Sequence, residues 1–317
     1  MSPTTTTTKS SISNVVLLGA DGKLGPSILH SLIETGFHVT ILKRQSSRSP
    51  SSYPNQITVS DAFSVEELVP ILADKDAVIV SIKGSETALQ KRLAEACVRA
   101  SAGDGRPKRF IPADFGSCDS SSPLTQALVP LYQAKTELRE YLKTLSRENP
   151  TIFTWTSLVC GHFFSDRDLQ FLHVYPHARR AEILDDGETK FSLSTLRQIG
   201  EATCRILQRP DSTANRVLYI QSFLVSQREV ISSFERATGA QWEVQRLEGE
   251  AYVRQEKAKA DQGDSEAVEN LVWYLGTVDA NWEESKGSDL AMGELGLSGE
   301  ELDGVVRKIV SEMRVKL

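Results

Sequence analysis

Apolar residues along this chain fall in two alternating periods. Short runs rich in Val, Ile and Leu, of strand length, recur at residues 15–18, 38–42, 57–61, 77–81 and 109–112. Between them, apolar positions three or four apart predict helices over 26–35, from Ser64 onward, over 86–100 and over 125–145. Ser64 with Glu67 three residues on predicts a capping box. Strands that alternate with helices, several of them apolar throughout, predict a parallel sheet buried on both faces. The fold class is therefore α/β, a Rossmann-type doubly wound sheet.

Beyond residue 150 the pattern loosens. Residues 151–157 alternate like a strand and run on through Gly161 and His162 into Phe163 and Phe164. The stretch to Arg180 has no clear period and predicts a loop that covers a substrate. Residues 181–184 and 189–193 flank Asp185-Asp186-Gly187 and predict a hairpin. A helix over 195–208, a strand at 217–220 and a helix capped by Ser226 follow. From Gln241 the chain is charged and mostly helical, over 248–260, 265–275 and 298 to the end. This organises the chain as a disordered Thr/Ser-rich tail (1–12), a nucleotide-binding domain (13–160) and a smaller, mostly helical substrate-binding lobe (161–317). Residues 190–225 of that lobe are expected to return in part to the first domain.

The chemistry concentrates after the first strand. Gly19, Gly22 and Gly25, with Asp21, Lys23 and Leu24 between them, lead into a helix with Pro26 in its first turn. Strand, glycines and helix in that order suit a pyrophosphate: the backbone approaches closely, and the helix offers unpaired N–H groups and a positive dipole end. At the end of the second strand, where enzymes that bind NAD place an acid for the ribose 2′-hydroxyl, stand Lys43 and Arg44. A guanidinium there grips a 2′-phosphate, so the expected cofactor is NADP(H). Asp61, ending the third strand, either approaches the adenine or caps its turn, and Lys83 leaves the fourth strand toward the cofactor. Asp114 emerges from the carboxyl end of the fifth strand, where doubly wound sheets bind ligands. Lys135 falls between Leu131 and Leu138 on an apolar helix stripe, an inward position that calls for an acid or a cofactor. Tyr132 precedes it, but as Y-x-x-K rather than Y-x-x-x-K, which makes Lys135 the better catalytic candidate. His162, among phenylalanines, is a further candidate acid, base or polar anchor.

Bulk properties narrow the rest. The composition, 40% hydrophobic and 25% charged over 317 residues, provides an ample core. A net charge of −6 without a dense basic block argues against nucleic acid, and no apolar run approaches membrane-spanning length. The start has no apolar signal core, so a cytoplasmic monomer or homodimer is expected. Cys97, Cys118, Cys160 and Cys204 are too dispersed for a metal site and read as reduced thiols.

Together, G-A-D-G-K-L-G, the Leu42-Lys43-Arg44 strand end, I-P-A-D-F-G, K-T-E-L-R around Lys135, T-W-T-S-L-V-C-G-H-F-F and N-R-V-L-Y-I resemble the NmrA-like and isoflavone reductase-like branch of the atypical short-chain dehydrogenases. The resemblance implies that Gly19, Gly22 and Gly25 hold the pyrophosphate, Arg44 meets the 2′-phosphate and Lys135 lies beside the nicotinamide. The plant reductases of this branch carry Ser-Glu where this chain has Ala113-Asp114, and lack the Gly161-His162 pair. The leading expectation is an NADP(H)-dependent reductase of an aromatic or heterocyclic secondary metabolite. The two departures support a second reading, a non-redox isomerase that retains NADP(H) and uses Asp114 and His162 as acid and base, for instance in an epoxide-opening rearrangement of an alkaloid. A third is a regulator that senses NADP(H).

Overall fold

The structure, a computed structural model, describes residues 12–49 and 53–315. The expected tail therefore lies outside the described residues except for Ile12, which packs on the core. Seven parallel strands form the main sheet: β1 (Asn14–Leu18), β2 (His38–Arg44), β3 (Gln56–Val59), β4 (Ala77–Val80), β5 (Lys108–Ile111), β6 (Phe153–Val159) and, much later in the chain, β11 (Arg216–Tyr219). Their spatial order is β11-β6-β5-β4-β1-β2-β3. Because successive side chains point to opposite faces, Val15 and Leu17 of β1 enter one core and Val16 and Leu18 the other. That two-sided burial is why the strand is apolar without interruption. Helices α1 (Gly25–Glu34) and α6 (Leu196–Gln208) cover the first face; α2 (Val65–Leu72), α3 (Thr87–Asp104) and α5 (Leu131–Glu148) cover the second. Strand order reverses between β1 and β4, which opens a crevice at their carboxyl ends.

The second lobe contains more sheet than its sequence predicts. One three-stranded sheet joins β7 (His162–Phe164), β10 (Lys190–Thr195) and β12 (Phe223–Ser226); another joins β8 (Val174–Tyr175), β9 (Arg180–Leu184) and β13 (Glu243–Leu247). Helices α7 (Gln227–Thr238), α8 (Gly249–Ala260), α9 (Ser265–Val278) and α12 (Leu302–Val315) pack around them. Short α10 (Trp282–Ser285) and α11 (Met292–Leu295) bring the chain back to the main sheet, where Trp282 meets Tyr219 of β11.

Several local expectations are corrected. The helix expected over 125–145 is two: α4 (Pro123–Leu128) ends before Pro130, which caps α5. The hairpin does not form, because β9 and β10 pair with different sheets; Asp185 and Gly187, both at positive φ, turn the chain from one to the other. The stretch before Arg180 is packed rather than a cover: Leu169, Leu172 and Val174 are buried, and His173 stacks on Trp273 at 3.8 Å. At α2, Ser64 accepts from the Glu67 N–H, but the Glu67 carboxylate turns to Ser60 instead of completing the box.

Candidate active site

The turn after β1 is shaped first by the chain itself. Gly19 has φ of +89°, and a Cβ there would stand 2.1 Å from the Ser81 carbonyl oxygen, so β1 passes β4 too closely for any side chain. A Cβ on Gly25 would meet the Gly19 oxygen at 2.1 Å, whereas one on Gly22 meets nothing nearer than 3.3 Å. Gly19 and Gly25 therefore serve the turn and the seating of α1, and Gly22 is the glycine of the three that the protein's own backbone constrains least. A groove of about 380 Å³ opens there. Gly19, Asp21 and Gly22 form one wall, Lys43, Arg44, Ser47 and Ser49 another, and Lys83 borders the far side. Ser47 and Ser49 were not singled out by sequence; only their place on the loop after β2 signals them.

Arg44 is exposed at the mouth and makes no side-chain hydrogen bond among the described residues. Three expected cofactor residues point elsewhere. Lys23 reaches across to the second lobe and pairs with buried Asp168 at 2.7 Å. Leu24 is a buried residue at the start of α1. Asp61 accepts from the Ser46 N–H at 2.9 Å, so it caps the loop after β2 rather than lining the groove.

Beyond Lys83 the site becomes a chain of charges. Lys135 runs from α5 to the end of β5, where its Nζ donates to the Asp114 carbonyl at 2.6 Å and stands 3.8 Å from Asp114 Oδ1. It also lies 4.9 Å from the centre of the Tyr132 ring, a cation–π contact. Gly84 makes room for it, since a Cβ there would be 2.6 Å from Lys135 Cε. The Asp114 carboxylate is buried, and its Oδ2 accepts from Arg139 Nε and from Ser157 Oγ, each at 2.6 Å. Arg139 continues to Asp119 at 3.2 Å, and Asp119 to Lys286 at 2.6 Å. Burial by itself would raise the Asp114 carboxyl, but Arg139 and then Lys135 outweigh it and hold the group below the ordinary carboxylate range. Asp114 is thus a fixed anion and not a proton shuttle. Burial pushes the Tyr132 hydroxyl well above its usual value, so it is no ready acid.

Arg139, the centre of this chain, is a residue the sequence reading missed. Its signal was its position four residues after Lys135 on the same helix face.

His162 is not in this cluster. It is fully buried on β7, with Phe171 and Phe191 edge-on at 5.4 and 6.0 Å and Nε2 3.1 Å from the Trp273 carbonyl. Burial lowers its pKa to about 4, against the opposing pull of that carbonyl. The acid–base pair of Asp114 and His162 is therefore not assembled: one member is locked by Arg139, the other is neutral inside the second lobe.

Among the described residues no group of His, Cys, Asp and Glu side chains is placed to hold a metal, and no helix is long and apolar enough to cross a membrane. All four cysteines are buried and free of disulfides.

Comparison with known proteins sets this geometry in context. The NmrA-like family model matches residues 11–290. Oxidoreductase aprR of Aspergillus flavus is 31% identical over 265 residues, covering 82% of this chain and 86% of its own. Oxidoreductase poxI of Penicillium oxalicum is 30% identical over 307 residues, 92% of each chain. Among solved structures, the binary complex of leucoanthocyanidin reductase with NADPH from Vitis vinifera superposes with a TM-score of 0.73 at 18% identity, over 94% of this chain and 100% of that one. At that identity the likeness is one of fold.

Proposed function

The chain belongs to the NmrA-like family, and from that premise we propose that it is an NADP(H)-dependent reductase of a small aromatic or heterocyclic metabolite. One observation carries the choice of chemistry. Of the three candidate proton-handling side chains, Lys135 is 17% exposed beside the crevice, whereas Asp114 is 4% exposed within an ion pair and His162 is sealed in. Relatives named as oxidoreductases at 31% and 30% identity support the same reaction class.

The residues present fit the cofactor. Gly19, Asp21 and Gly22 of the turn line the groove, a side chain at Gly22 would come within 3.3 Å of the Gly19 oxygen, and Arg44 brings a guanidinium with no side-chain hydrogen bond among the described residues. When bound, NADPH would supply the hydride. Gly19 to Gly22 and the start of α1 would bind its pyrophosphate, and Arg44 its 2′-phosphate. Lys135, oriented by the Asp114 carbonyl and the Tyr132 ring, would stabilise negative charge on the substrate and deliver the proton from Nζ. Arg139 and Ser157 keep the Asp114 carboxylate from taking that proton.

The test is to incubate the protein with candidate metabolites while following NADPH absorbance and product mass together. A product two mass units heavier, with one NADPH oxidised per turnover, is expected. An isomeric product without cofactor oxidation would overturn the proposal, as would tight NADPH binding with no product from any candidate.

A further inference from the structure

Asp21 stands in the glycine-rich turn and lines the groove together with Lys43, Ser47 and Ser49. A carboxylate is an unexpected neighbour for a phosphate-binding surface. Its Oδ2 accepts from Ser49 Oγ at 2.6 Å and lies 3.8 Å from Lys43 Nζ. Lys43 Nζ in turn donates to the Ser49 carbonyl at 2.8 Å. One acid thus ties the loop after β2 to the turn after β1 and offsets the charge of Lys43. Both side chains are largely covered, at 24% and 14% exposed, so solvent only partly screens the pair. Arg44, the next residue, is exposed at the mouth, with the Asp61 carboxylate, itself tied to the Ser46 N–H, as a weaker electrostatic neighbour.

We infer that Asp21 sets the cofactor selectivity of this groove: by offsetting Lys43 it weakens the hold on a 2′-phosphate and leaves that contact mainly to Arg44. The inference rests on the NADP(H) reading above. Asp21 also lies near the pyrophosphate turn, but that group is common to NADPH and NADH, so its repulsion cancels in the ratio of the two affinities. What remains in the ratio reports the 2′-phosphate.

Asp21→Asn keeps an oxygen for Ser49 and removes the charge. Titration of the variant with NADPH and NADH, followed by nucleotide fluorescence, should show the preference for NADPH raised about three- to tenfold at low salt, the size of one partly screened charge contact. At about 0.5 M salt the gain should shrink toward the wild-type ratio. Ser49→Ala, which removes the tether and keeps both charges, should move the ratio less than about twofold. The inference is overturned if Asp21→Asn leaves the ratio unchanged or lowers it, if the gain persists at high salt, or if Ser49→Ala reproduces it. The wild type alone tests the reading beneath: a protein that binds NADH as well as NADPH removes that reading and the inference with it.

Discussion

Replacing Arg139 by Met tests the centre of the site. Methionine preserves the bulk of the stem, so the change is chiefly the loss of a guanidinium from a place where its side chain is 8% exposed. Asp119 keeps Lys286 at 2.6 Å, which concentrates the damage on Asp114. Asp114 would retain Ser157 and Lys135 3.8 Å away, too little to offset the burial of a carboxylate. Breaking such a pair from one side costs about 3–5 kcal/mol. The second half of the test is Asp114→Asn in the same chain: with no buried charge left unpaired, the double variant should recover about 2 kcal/mol or more relative to the sum of the singles. Urea unfolding near pH 7, read by tryptophan fluorescence, measures both. The sign with pH follows from the carboxyl groups. Asp114 and Asp119 are held below their unfolded values, so the stability they contribute is present above about pH 4 and is lost as pH falls through their lower folded values. Without Arg139, burial lifts Asp114 again. The deficit of the variant should then be largest near neutral pH and shrink as the medium becomes acid. A loss under about 1 kcal/mol, or strict additivity in the double variant, would refute the account of Arg139 as the partner that fixes Asp114.

Arg44→Ala should weaken NADPH binding by about ten- to a hundredfold and NADH binding far less, measured by titration of both cofactors. Gly22→Val should abolish NADPH binding while leaving the melting temperature nearly unchanged, whereas Gly19→Val, which drives a Cβ to 2.1 Å from a backbone oxygen, should prevent folding. Lys135→Met should lower kcat about 10²- to 10⁴-fold at saturating NADPH, more than His162→Gln does; the reverse order would return the isomerase to consideration. His162 has a folded pKa of about 4, below the 6.5 of an unperturbed histidine, so the unfolded chain takes up the proton first. Stability should therefore fall as pH drops from about 6.5 to about 4, and His162→Gln should flatten that slope in urea titrations across the window.

What was legible in the sequence was what local physics decides. β1, its glycines and α1 are adjacent in the chain, and each residue's type answers to its neighbours within a few positions. Lys135 was legible because helical spacing puts it on an inward stripe. Its pairing with Asp114 was not, nor was the Ser157 hydroxyl that holds Asp114, since Asp114 comes from the end of β5 and Ser157 from β6, and only sheet order brings them together. Motif position likewise failed to give side-chain direction: Lys23 sits within the phosphate motif yet leaves it for Asp168 of the other lobe. The hairpin expected around Asp185 shows the same limit from the other side. Its turn chemistry is present, but β10 gains β7 and β12 as partners and β9 gains β13, pairings that no local signal carries. His162 was weighed by residue type, and its fate was decided by Phe171 on the following segment and by Phe191 and α9, which are distant in sequence.

The charged chain explains why the chemistry should sit at Lys135 and not elsewhere along it. From Lys135 through Asp114, Arg139 and Asp119 to Lys286 the signs alternate, three cations against two carboxylates, so one positive charge is in excess. The interior links alternate in charge: each carboxylate lies between two cations, and Arg139 lies between two carboxylates, although Asp114 Oδ1 and one terminal nitrogen of Arg139 are buried without a hydrogen-bond partner among the described residues. At the Lys286 end the ammonium is covered by the Tyr219 and Trp282 rings, at 4.7 and 5.6 Å, whose faces disperse its charge. At the other end Lys135 has one ring and one carbonyl, and its side chain stays 17% exposed. The excess charge is therefore held in a largely buried wall, and under the proposed function it would meet the negative charge that develops on a substrate gaining hydride. Asp119 and Lys286 lie far from Lys135 along the chain of contacts, so they act on it only through Arg139 and Asp114. On this argument Lys286→Met should reduce kcat by a smaller factor than Lys135→Met, and it should do so without weakening NADPH binding.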